Sequence, residues 1–126
     1  MPEQIDELVA ELQSRVEPHL RGVFYGDFEN RDYHIAYADE AATDDYTADE
    51  IDAIVEDVSF KQLDYDRKDR VHEPLGEYLV DVEVYAEGSN VVVLGYDTPT
   101  TLVGLDGDPA AISPTVAAID AVLGDD

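Results

Sequence analysis

Cysteine is absent from all 126 residues, which excludes a disulfide framework, thiol catalysis and any zinc or iron–sulfur centre built on thiolates. Long apolar runs are also missing: none approaches the roughly 18 uninterrupted residues of a membrane-spanning helix. The opening residues, Met1 to Gln4, lack the basic start of a secretory signal, so the expected address is cytoplasmic with no membrane involvement. Basic side chains are scarce, two Lys and five Arg against 19 Asp and 12 Glu, for a formal net charge of −24. Affinity for nucleic acid rests on neutralising phosphates with Lys and Arg, so this balance argues against a nucleic-acid partner. No GxGxxG or GxxxxGK[ST] phosphate cradle, no GxSxG nucleophile elbow and no HExxH zinc pattern occurs.

What is present is a chain of 13.9 kDa, 44% hydrophobic, long enough for one core and too short for two. It is expected to fold as a single domain spanning residues 1–126. The carboxylates are spread through every segment, which reads as a solvated surface more than as a site. In dilute salt such a charge opposes compaction by self-repulsion; at about 1 M salt the screening length falls to about 3 Å and the penalty fades. The composition therefore suits a halophilic, salt-loaded cell.

Periodicity gives the element order. Ile5, Leu8, Val9, Leu12 and Val16 recur at helical spacing and Pro18 ends that helix. Residues 21–29 and 32–38 read as a strand hairpin around Asn30 and Arg31. Thr47 followed by Glu50 is a capping-box pattern, Tyr46 and Ile51 hold the staple positions, and Ile51, Ile54, Val55 and Val58 form an apolar stripe, so a second helix starts near residue 48. Beyond Phe60 the stripe stops, and residues 61–77 read as a loop with at most one helical turn. Residues 78–86 alternate as a strand, Gly88, Ser89 and Asn90 read as a turn, and the valine run 91–94 reads as a strand covered on both faces. A strand over residues 100–105 follows. Ser113 as cap and Pro114 at the first position open a last helix, with Val116, Ile119, Val122 and Leu123 inward and Gly124 closing it. The expected fold is α/β (α+β): a central antiparallel five-stranded sheet with three helices, in the order α-β-β-α-β-β-β-α.

That order, carried by the two strand blocks and the capped helix between them, resembles the roadblock/dynein-light-chain-like arrangement within the profilin-like class, from Ile5 to Leu123. The acidic first helix, residues 20–38, the Tyr46–Ile51 helix start and the valine-rich hairpin also look like small uncharacterised haloarchaeal proteins. The roadblock resemblance implies a non-enzymatic module that forms a homodimer and docks onto a small GTPase or another signalling protein. The profilin-like class also includes small-molecule-sensing domains, which stands as the alternative, and an enzyme with a spatially assembled site is the third reading. A departure from the roadblock pattern is the long segment between the second helix and the third strand.

The candidate residues carry little chemistry that is fixed by spacing. His19, His34 and His72 have no i, i+4 partner among themselves, and His72 beside Glu73 makes a poor site because neighbours on an extended chain face opposite ways. Asp64, Asp66 and Asp69 have the look of a calcium loop, but Lys68 holds the third ligand position and the glycine and closing glutamate are missing. Asp106, Gly107 and Asp108 read as a turn. No catalytic residue, metal ligand or cofactor is expected. Partner binding is assigned to Lys61, Arg67, Lys68 and Arg70, a local positive segment on an acidic molecule, beside Phe60 and Tyr65; the competing reading pairs these cations with Asp64, Asp66 and Asp69. Ala117, Ala118 and Ala121 offer a small-residue face, either to a second subunit or to the chain's own sheet. Tyr33, Tyr37 and Tyr85 are expected on strand faces with the ring covered and the hydroxyl wet.

Overall fold

The computed structural model describes residues 3–39, 47–71 and 73–124. Helix α1, Glu3–Val16, buries Ile5, Leu8, Leu12 and Val16, the apolar stripe of the sequence. Pro18 lies in a 3-10 turn, Glu17–His19, that hands the chain to β1, Leu20–Asp27. A tight turn, closed by the Arg31 N–H on the Phe28 carbonyl at 3.2 Å, leads into β2, Asp32–Ala38.

Helix α2 spans Ala48–Val71. Its start is the expected capping box: the Glu50 N–H donates to Thr47 Oγ1 at 3.2 Å and the Thr47 N–H to Glu50 Oε1 at 2.9 Å. Those bonds hold the Glu50 carboxyl below its ordinary range, the backbone donor at Thr47 contributing most. The staple partner Tyr46 lies outside the described residues. The loop expected from residue 61 is instead helix as far as Val71. No side chain of α2 beyond Val58 is buried, so the apolar signal ends while the helix continues on ion pairs one turn apart: Lys61 with Asp57 at 3.2 Å and Arg67 with Asp64 at 2.7 Å.

After a 3-10 turn at Glu73–Leu75 come β3, Val80–Tyr85, and β4, Gly88–Val93. Their hairpin turns at Ala86 and Glu87, so Gly88, Ser89 and Asn90, expected as the turn, belong to β4. A two-residue link suffices because Tyr85 pairs directly with Gly88. Strand β5, Thr100–Asp106, precedes a 3-10 turn, Pro109–Ala111, and helix α3, Ile112–Leu123. Asp108 caps the 3-10 turn, its carboxylate accepting the Ala110 N–H at 2.9 Å with Pro109 next to it, and α3 follows directly from Ala111; Ser113 and Pro114 lie inside the helix instead of opening it. Thr115 and Ala118 join Ile119 and Leu123 as its buried face, while Val116 and Val122 are half-buried.

The sheet is antiparallel throughout, in the order β2-β1-β5-β4-β3. β4, expected to be central, is interior and next to the edge; β5 is the middle strand. Alternation along the strands divides the interior in two. One face, under α1 and α3, packs Leu8, Leu12, Val23, Val91, Val93, Val103 and Ile119. The other, under α2, packs only Phe28, Val55, Val58, Val92 and Leu102 with partial cover from Phe24 and Tyr33. No helix among the described residues is long and apolar enough to cross a membrane.

Candidate functional site

The four cations singled out in the sequence all sit on α2, but they do not form one patch. Lys61 and Lys68 are seven residues apart and share the helix side that faces β3 and the segment before it. Lys61 is only 14% exposed and its ammonium reaches Glu83 at 2.8 Å, Asp57 at 3.2 Å and Asp81 at 3.8 Å. Burial, the largest single influence, pulls its pKa down, yet the bonds to Glu83 and Asp57 outweigh it and the net shift is upward. Lys61 is thus a fixed positive charge holding three carboxylates together. Glu83 is correspondingly held below its ordinary range, chiefly by the bond from Lys61.

Lys68 lies over the Tyr78 ring, 5.9 Å from its centroid, and Tyr65 stacks on the same ring at 5.7 Å. Asp69 accepts the Tyr78 N–H at 2.9 Å, and the Tyr78 hydroxyl donates to Asp81 at 3.0 Å. Burial, followed by that bond, pushes the Tyr78 phenol up, so it remains a neutral donor. Arg67 and Arg70 point elsewhere. Arg67 makes a two-pronged bond to Asp64, at 2.7 and 2.9 Å, and Arg70 is exposed. Of the three acids proposed as internal neutralisers, Asp64 takes Arg67 and Asp69 holds a backbone donor; Lys61 finds partners the sequence reading did not name. An acid four residues ahead of a lysine, Asp57 before Lys61, was the signal that could have extended the helix.

Next to this cluster, β3 is an edge of the sheet. Val82 and Val84 stand exposed on its α1/α3 side, Val84 at 65%, while Tyr85, Phe60 and Leu63 are exposed on the α2 side. Tyr85 therefore departs from the expected covered ring, because no strand or helix among the described residues lies beyond it. Tyr33 and Tyr37 are half-buried, and Tyr33 stacks on Phe28.

The remaining candidates have structural partners. His19 Nδ1 lies 2.8 Å from Asp106 Oδ2, linking the turn after α1 to the end of β5. That bond, before all other causes, raises the His19 pKa. Asp106 also accepts the Asp108 N–H at 3.0 Å, and with Asp108 capping the next turn the Asp-Gly-Asp stretch is a turn. His34 is exposed beside Tyr25, and His72 lies outside the described residues. Asp64, Asp66 and Asp69 are on a helix, not in a loop. Among the described residues no three acid or histidine side chains converge on a metal-sized point. Ala118 is buried against the chain's own core, while Ala117 and Ala121 are exposed.

Between α2 and the sheet lies a cavity of about 710 Å³ whose lining sequence reading did not assign. Its floor is a row of cross-strand partners with little or no side chain: Ala38 beside Gly22, Gly22 beside Gly104, Gly104 beside Asn90. The adjacent row on the same face, Ile35, Phe24, Leu102 and Val92, is bulky and carries the α2 core. No curated protein matches the chain, and no solved structure does. The family model described as Domain of unknown function (DUF7522) matches residues 6–124, nearly the whole sequence, and the chain belongs to that family.

Proposed function

We propose that this chain is a non-enzymatic interaction or regulatory module of a salt-adapted cytoplasm that works as a homodimer joined through β3. One observation carries the reading: an unpaired edge strand with exposed apolar side chains on both of its faces, Val82 and Val84 on one, Tyr85 with Phe60 and Leu63 of α2 on the other. A free edge is a template for another strand, and two copies related by a two-fold axis satisfy each other's N–H and C=O groups. The opposite edge, β2, exposes Ile35 but keeps Tyr33 and Tyr37 half-covered. Asp81 and Glu83 alternate with the valines and would repel a second acidic strand; Lys61 neutralises them from behind. High salt screens the rest of the −24 charge. The outer half of α2, with Arg67 and Arg70 exposed and Lys68 on the side toward Tyr78, is then available to an acidic protein surface, and a small GTPase is the partner class the roadblock resemblance names.

Light scattering in molar potassium chloride tests this. The expected mass is twice that of the chain, and Val84→Lys, which touches no core, should return it to one. A strictly monomeric wild type across the accessible concentration range removes the dimer. Replacing Arg67, Lys68 and Arg70 with Ser should weaken partner capture while leaving the fold and the dimer intact.

A further inference from the structure

The cavity between α2 and the sheet is unlike the rest of the interior. Cores pack near crystal density, and a space of about 710 Å³ is in the range of small-molecule sites, far larger than a packing defect. Its shape follows from sequence: Gly22 and Gly104 face each other across β1 and β5, so the floor there is bare backbone. At Gly22 a Cβ would fall 2.8 Å from the Phe24 ring, which leans over it and would have to swing aside. Gly104 is not compelled: a Cβ there would meet nothing closer than 3.8 Å. The glycine keeps the space open without being required by packing.

The walls are apolar, from Phe24, Ile54, Val58 and Leu102, and α2 roofs the floor, so the space admits a flat molecule more readily than a chain segment. One polar group stands on the floor without a use. Asn90 lines the cavity, its Oδ1 lies 3.9 Å from where the Gly104 Cβ would be, and its carboxamide makes no hydrogen bond to any described residue. A carboxamide offers one donor and one acceptor side by side, and its complement is a ring edge with an adjacent acceptor and donor. Charge stays at the rim: Lys61 holds Glu83 and Asp57, Glu87 lies on the hairpin, and Arg21 lies at the other end.

We propose that this cavity binds an uncharged, planar heteroaromatic molecule whose N–H and C=O edge pairs with the carboxamide of Asn90, its rings lying on the Gly22–Gly104 floor beneath α2. The cavity reaches Glu83 and Tyr85 of β3 at one end, but the Gly22–Gly104 floor and Asn90 belong to the inner strands β1, β5 and β4, so the proposal does not rest on the dimer.

The probe is lumichrome, a neutral, fluorescent three-ring heterocycle with such an edge, set beside its N,N-dimethyl derivative, which keeps the fused rings and carries methyl groups in place of the N–H donors. Titrated with the full chain in molar potassium chloride, lumichrome should bind saturably at one per chain, and the dimethyl derivative about tenfold more weakly. Asn90→Ala should erase that discrimination. Gly104→Leu should block both compounds, and Gly104→Ala, which the geometry accommodates, should weaken both while leaving the melting curve unaltered or raised, so that a misfolded leucine variant does not decide the matter. No saturable binding by wild type, equal binding of the two compounds, discrimination that survives Asn90→Ala, or binding indifferent to Gly104→Ala would each overturn the proposal.

Discussion

The two faces of the sheet are built to different standards. Under α1 and α3 the side chains interlock: Leu8, Leu12, Val23, Val91, Val93, Val103 and Ile119 are shielded from water, and the two helices lie against each other as well as against the strands. Under α2 the dense packing among the described residues is a small cluster around Phe28, Val55 and Val58, and beside it are a cavity and a charged, tyrosine-lined junction. The contrast separates two tasks. The closed face holds the chain together, and the open one keeps space, charge and an edge strand in reach of other molecules. Binding surfaces come from the less stable part of a fold because they cannot be fully packed against the chain itself.

Equivalent truncations on the two faces give the sharpest test. Val103→Ala should cost about 2–3 kcal/mol, since its surroundings cannot close around the void, whereas Val58→Ala should cost about 1 kcal/mol because α2 borders space already and can shift. Equal losses in urea titrations would mean that the faces are packed alike. Removing the charge that organises the open face, Lys61→Met, leaves Asp57, Asp81 and Glu83 facing one another and should cost roughly 2 kcal/mol, with a loss that shrinks in molar salt. An unchanged melting temperature in dilute buffer would show that these acids disperse without penalty.

The smallest effect belongs to the seam of the closed face. His19 is stabilised in its protonated form by Asp106, so its contribution is whole below about pH 6.5 and is lost as pH rises through its raised folded-state value. Asp106 is held below the usual carboxylate range: burial works against this, and the Asp108 N–H and His19 outweigh it. Its own contribution is therefore lost only in acid, as pH falls through that lowered value. The melting temperature of wild type should decline modestly between about pH 6 and pH 8, and His19→Gln should flatten that slope. Parallel slopes for the two proteins would remove the link between the turn after α1 and the end of β5.

Sequence patterns located the three α-helices and five strands of the described residues because each carries an apolar stripe or alternation, and those patterns are local. They failed where stability comes from elsewhere. The outer half of α2 carries no buried residue, so its helical state rests on Asp57–Lys61 and Asp64–Arg67 pairs, which hydrophobic periodicity does not register. Ser-Pro at 113–114 reads as a helix opening, but Asp108 and Pro109 open the 3-10 turn upstream and α3 continues from that turn with no side-chain cap of its own. The turn at Ala86 and Glu87 lacks the glycine or asparagine that marks a hairpin, and the glycine one residue later drew the assignment to itself. The four cations were legible as a segment, but not as two groups with different neighbours, since their separation depends on helical phase. The floor of the cavity was illegible: Gly22, Gly104 and Asn90 are far apart along the chain, and only strand register makes them a row.

Helix α2 beyond Val58 contributes nothing to either core, yet it is tied down at both ends of that stretch, by Lys61 to β3 and by Asp69 to the Tyr78 backbone. Its outward positions are therefore free to drift without endangering folding. Lineages carrying this architecture could exchange the identities at Asp66 and Arg70 cheaply, acquiring or shedding associates while the scaffold beneath persists.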